Sequence, residues 1–155
     1  MTTADLPALG AATLCEAFQL TAQHYADAPA LRTPGDAQRL TYGEWAAKVE
    51  RVAGGLAELG LRRGDTLALM TTNRPEFFIA DMAAEHLGAT PFSIYNSSSP
   101  EQIEYLFGNA GNRIIIAERQ FVEAIKAANA NLQIIVLEDG LPEADFPEFE
   151  ATWRA

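Results

Sequence analysis

Apolar positions along this chain alternate between two spacings, and the alternation itself predicts the architecture. The sharpest helical stretch places Trp45, Val49, Val52, Leu56 and Leu59 at steps of four and three, which puts all five on one helix face. Thr41 and Glu44 form a capping box in front of it: a hydroxyl at the N-cap and a carboxylate three residues later. Gly60 follows where a left-handed residue commonly ends a helix. After the turn Arg63-Gly64-Asp65, residues 66–70 form a short apolar run bounded by turns. That is the pattern of a strand buried on both faces.

The same unit then recurs. Pro75 suits the first turn of a helix running to Leu87, with Gly88 behind it and a strand over 90–94. Ser99-Pro100-Glu101-Gln102 is another capping box, with proline at the first helical position. Its helix turns Ile103, Leu106 and Phe107 inward and ends near Gly111. A strand over 113–117, a helix over 121–128 and a strand over 133–137 complete the series.

Upstream, Thr13 and Glu16 cap a helix that runs past Phe18 and Tyr25 and stops near Pro29, which disfavours helix at Ala28. Segments 30–33 and 38–41 read as a small hairpin around Pro34-Gly35-Asp36. Residues 139–147 read as an acidic surface loop, and 148–154 as the start of a further helix. Alternating strands and helices predict one α/β domain over 1–155. Its sheet is largely parallel, with helices on both faces and right-handed crossovers.

Composition narrows the function. The chain has 155 residues, 48% hydrophobic and 21% charged, enough for one real core and too apolar for disorder. A formal net charge of −10 argues against nucleic acid and against anionic lipid surfaces. The single cysteine, Cys15, excludes an internal disulfide and suits a reducing cytosol; its helical setting reads as a small buried side chain. The first dozen residues lack a basic start and an apolar core, so no signal peptide is expected. No apolar run approaches a bilayer-spanning length. A soluble cytoplasmic protein is therefore expected.

Known phosphate-binding signatures, G-x-x-x-x-G-K-[ST] and G-x-G-x-x-G, do not occur in the chain. Gly54-Gly55 lies inside the strongest amphipathic helix and reads as an aid to close helix packing. His24 and His86 sit on separate predicted helices with no cysteine nearby, so no metal site is expected. The scattered carboxylates mostly occupy helix first turns, where they favour the helix dipole. No catalytic residue emerges. Two loops at the carboxyl ends of predicted strands invite a ligand, because ligands of open parallel sheets bind beyond those ends. One carries Asn73 and Arg74; the other carries Tyr95, Asn96, Ser97 and Ser98. The competing structural role is helix capping by Asn73 and Ser99.

Several segments, in order, resemble the adenylate-forming acyl-CoA synthetases. Leu40-Thr41-Tyr42-Gly43-Glu44-Trp45 is similar to their L-T-Y-x-E-L opening. Gly64-Asp65-Thr66-Leu67-Ala68-Leu69 is similar to their G-D-x-V-A-I strand, and Asn73-Arg74-Pro75-Glu76-Phe77 to N-x-P-E-[FW]. Leu87-Gly88-Ala89-Thr90-Pro91-Phe92 matches A-G-A-x-x-x-P less closely, with its proline early. The stretch from Ser98 to Phe107 is closest to the long-chain fatty-acid–CoA ligases.

The resemblance covers roughly 14–137 and implies the first sub-domain of the synthetase N-terminal domain. For the parent enzyme it implies an acid–thiol ligase of fatty-acid metabolism that uses fatty acid, ATP, CoA and Mg²⁺. The family's Ser/Thr/Gly-rich phosphate loop and its catalytic lysine have no counterpart in these residues. The chain alone is therefore expected to be inactive and to bind none of these groups tightly. The remaining sub-domains are its implied partners. An apolar face made for them would favour a homo-oligomer with exchanged elements. The alternative is a free-standing flavodoxin-like module that binds a nucleotide or a partner protein.

Overall fold

Each element forms where local chemistry asks for it. In the computed structural model the described residues are 6–128 and 131–137, and they fall into two compact units divided after Arg51. Expectations for residues 139–154 lie outside the described residues.

The first unit holds α1 (Leu14–His24) and an antiparallel pair, β1 (Pro29–Arg32) and β2 (Arg39–Thr41), with Leu31 opposite Leu40. Thr13 caps α1 by accepting the Glu16 amide at 3.1 Å, while the Glu16 carboxylate reaches back to the Ala12 amide at 2.7 Å. The turn between the strands is held by Arg32, whose guanidinium bonds the Asp36 carboxylate at 2.6 Å. The edge of Phe18 meets Trp45 with ring centroids 4.8 Å apart. Thr41 and Glu44 make the expected reciprocal cap, at 3.2 and 2.8 Å, and start α2 (Tyr42–Glu58).

The division between the units falls within α2. Val49, Val52 and Leu56 on its apolar stripe are all buried. Gly54 is exposed, and a Cβ there would meet nothing within 4 Å, so it is not a packing glycine; Gly55 is buried.

The second unit is built on four parallel strands, β3 (Thr66–Met70), β4 (Thr90–Ser93), β5 (Ile114–Glu118) and β6 (Gln133–Leu137), in the order β4-β3-β5-β6. The connecting helices are α3 (Pro75–His86), α4 (Pro100–Ala110) and α5 (Val122–Ala128), the last preceded by a 3₁₀ turn over Arg119–Phe121. Ala68, Met70, Ile115 and Ala117 pack against Ile103 and Phe107 of α4 and Ile125 of α5. Leu67, Leu69, Ile114 and Ile116 alternate onto the opposite face and are equally buried. Packed beside β3 and β4, α3 is placed on that opposite face by a right-handed crossover. Its inner residues, Ile79, Ala80, Ala83 and Ala84, are mostly small, which lets the helix come close to the sheet. This is the expected α/β class, with helices on both faces of a parallel sheet.

The strand order has a functional consequence. From β3 the chain passes to the α3 face, whereas from the neighbouring β5 it passes to the α5 face. The loops leaving these adjacent strands diverge, which is the topological switch point where ligands of open α/β sheets bind.

Candidate functional site

The switch point is occupied by the protein's own charges. Glu118 ends β5, whose other four residues are apolar, and is only 3% exposed, a depth at which a carboxylate requires partners. Its Oε1 accepts the Thr72 hydroxyl at 2.6 Å and also the Thr72 backbone amide. Its Oε2 accepts the Gln120 side-chain amide at 2.9 Å and lies 3.6 Å from Arg74 Nη1. Arg74 in turn grips Glu76 through two parallel bonds, Nε to Oε2 at 2.9 Å and Nη2 to Oε1 at 3.1 Å. Glu76, at 5% exposure, is nearly as deep as Glu118. One guanidinium thus serves two buried carboxylates, and the cluster ties the loop after β3 to the end of β5. The paired fork fits guanidinium better than ammonium geometry, which explains an arginine at this place.

Asn73 lies between the two anchored residues, Thr72 and Arg74. It is exposed, and its side chain makes no hydrogen bond among the described residues. It does not cap α3: the N-cap is Arg74, which makes no side-chain cap bond, and Pro75 follows it in the first turn. Ser99 does cap α4, and the box is reciprocal. The Gln102 amide donates to Ser99 Oγ at 3.4 Å, and the Ser99 amide donates to Gln102 Oε1 at 2.9 Å.

The second loop opens beside that cap. A tight turn, closed by the Ser98 amide on the Tyr95 carbonyl at 2.9 Å, exposes Tyr95, Asn96 and Ser97. With α4 it borders an open groove of about 520 Å³, lined by Tyr95, Ser97, Ser98, Glu101, Gln102, Tyr105 and Leu106. The two tyrosines are 85% and 73% exposed, so the groove offers aromatic surface and hydroxyls. Its one charged residue is Glu101, whose carboxyl is held below the usual range by the Ser99 hydroxyl, 2.6 Å away. No lysine or arginine is among the lining residues, so an anion finds no cationic side chain there.

The sequence-predicted residues therefore form two groups, Asn73 with Arg74 and Tyr95 with Ser97 and Ser98, while Asn96 is exposed at the tip of the second turn without lining the groove. Sequence reasoning missed Glu118, Glu76 and Thr72 as a linked set. The available signal was a glutamate closing a run of three isoleucines and an alanine, because a charge in such a strand demands a partner. His86 bonds the Met82 carbonyl at 2.8 Å within its own helix. Cys15 is partly exposed rather than buried. Among the described residues no three potential metal ligands come together, and no helix is long and apolar enough to cross a membrane.

Comparison with known proteins bears on the fold and the family. "Uncharacterized protein Rv1549" of Mycobacterium tuberculosis is 50% identical over 144 residues, which is 93% of this chain and 80% of that one. Fatty acyl-CoA synthetase A of Dictyostelium discoideum is 28% identical over 117 residues, covering 75% of this chain but only 18% of the synthetase. Among solved structures, the anthranilate CoA ligase AuaEII in complex with anthranoyl-AMP superposes with a TM-score of 0.79 at 23% identity, over 99% of this chain and 29% of the ligase. The fold is thus that of the N-terminal domain of acyl-CoA and aryl-CoA ligases, and this chain spans less than a third of either ligase. The family pattern of AMP-binding enzymes matches residues 18–154, and with that span covering both carboxyl-edge loops the chain belongs to the AMP-binding, adenylate-forming enzyme family.

Proposed function

We propose that this chain is the first sub-domain of an ATP-dependent acyl-CoA ligase whose acid is a long-chain fatty acid. The observation that carries the reading is family membership across 18–154, on a sheet whose motifs fall in the ligase order. The long-chain assignment rests on the Ser98–Phe107 stretch and on the fatty acyl-CoA synthetase among the relatives.

In such a ligase the acid's carboxylate oxygen attacks the α-phosphorus of ATP and pyrophosphate leaves. The CoA sulfur then attacks the acyl carbonyl carbon and AMP leaves. Mg²⁺ neutralises phosphate charge in the first step. The groups that perform these steps belong to the remaining sub-domains, which are this chain's partners. Its own contribution is the carboxyl edge of the sheet: Asn73 on one loop, and Tyr95, Asn96, Ser97 and Ser98 on the other, turned toward the junction with those sub-domains. Arg74 serves there by fixing its loop.

Two measurements test the reading. The purified 155-residue chain is expected to release no pyrophosphate from ATP with any acid, and turnover by it alone would falsify the proposal. The ligase carrying this segment is expected to catalyse ATP–pyrophosphate exchange that depends on long-chain acids. Exchange supported only by aryl or short acids would overturn the substrate assignment.

A further inference from the structure

We propose that Glu118 is a positioning residue that presents Asn73 as a recognition group for an uncharged hydrogen-bonding part of a ligand, an amide or a hydroxyl. This rests on the reading that the loop after β3 faces a ligand. Glu118 takes the Thr72 amide and hydroxyl and pairs with Arg74, so both neighbours of Asn73 are tied to the end of β5. Arg74 is tied a second time, through its fork on Glu76. Asn73 itself is exposed and makes no side-chain hydrogen bond among the described residues. Holding both flanks of an unbonded polar side chain is the arrangement that preorganisation for binding requires.

The ligand class follows from charge. Arg74, the cation of this loop, faces two carboxylates, so the cluster carries one net negative charge. A carboxylate or phosphate brought to Asn73 would meet that charge with no cation left uncommitted in the cluster. A primary amide supplies two donors and an acceptor and suits a neutral polar group.

The test uses the ¹⁵N-labelled chain and two readouts. The first is hydrogen exchange at Thr72. Glu118→Ala is expected to speed exchange of the Thr72 amide roughly tenfold, and Glu118→Gln, whose oxygen still accepts, is expected to retain most of the protection. Thr72→Val, which removes only the hydroxyl bond, is expected to fall between them. Protection at Ile115 in the core reports whether each variant is folded; should Glu118→Ala unfold, the comparison of Glu118→Gln with Thr72→Val decides. Unchanged Thr72 exchange in the folded variants overturns the positioning role.

The second readout is the Asn73 side-chain amide signal during titration with N-methylacetamide and ribose, against acetate and pyrophosphate. A saturating shift with a neutral probe, kept in Glu118→Gln and lost in Glu118→Ala, is the expected result. A response to anions alone, or to none of the four, overturns the recognition role. Neither readout depends on acyl-CoA formation, so failure of the ligase assay and failure of this inference are separate outcomes.

Discussion

At the scale of single residues, two glycines with opposite surroundings make a direct comparison. Gly88 has φ +71°, and a Cβ there would lie 3.0 Å from Arg63 Cγ. Gly88→Ala is expected to cost about 1–3 kcal/mol from the left-handed backbone alone, read as a lower urea midpoint. Gly54 faces open space inside a helix, and Gly54→Ala is expected to gain about 0.5–1 kcal/mol in the same experiment. Equal effects would contradict the two environments. Asp81 gives a pH test. Burial, and then the neighbouring Glu85, raise its carboxyl above the ordinary 3.8. A raised acid favours the folded state when protonated. Its contribution is therefore full below 3.8 and is lost as pH climbs toward the raised value. Asp81→Asn is expected to remove that loss, so the variant gains on the wild type at neutral pH and the gain vanishes in acid. Chemical denaturation across pH measures it.

At the scale of elements, α4 depends on its start. Ser99 supplies one half of a reciprocal cap, and Ser99→Ala is expected to cost about 1 kcal/mol, with amide exchange rising first at Gln102. The Ser99 hydroxyl also holds the Glu101 carboxyl low, a separate, pH-dependent effect that is present above the ordinary value of 4.5 and disappears as pH falls through the lowered one. The end of β5 behaves differently. Glu118 is buried in a paired network, and Glu118→Ala removes a carboxylate that pairs with Arg74 and accepts from Thr72 and Gln120. A cost of about 3–5 kcal/mol is expected, several times that of the exposed cap, and thermal melts of the two variants rank them. The cap was legible beforehand because its partners are three residues apart. The network was not, because Thr72 and Glu118 are 46 residues apart and meet only when β3 and β5 become neighbours.

At the scale of the whole molecule, the sheet ends on β4 on one side among the described residues. The amides of Thr90 and Ile94 point inward to the Asp65 and Leu69 carbonyls, at 2.9 and 2.8 Å, which leaves Pro91 at an outward position with no N–H to offer. A proline there blocks addition of another strand. Pro91→Val is expected to raise self-association, seen as a larger mass in light scattering at high concentration. An unchanged mass would mean that this edge is protected by something else.

By itself the sequence determined the run of elements, their caps and the parallel class, because helix and strand periods, proline at first turns and glycine past last turns act within a few residues. It also determined family membership, through motifs whose order survives without knowledge of where they meet. Only the tertiary structure decided that β3 and β5 lie side by side and that their diverging loops make a switch point. It also decided that a buried glutamate, an arginine and a second glutamate fill that point. Sequence spacing places Arg74 on the loop beyond the carboxyl end of a strand; the fold commits its charge to two carboxylates and leaves the uncharged Asn73 exposed beside it. The physical reason is range: caps and periods are local, whereas the partner of a buried charge is chosen by strand order.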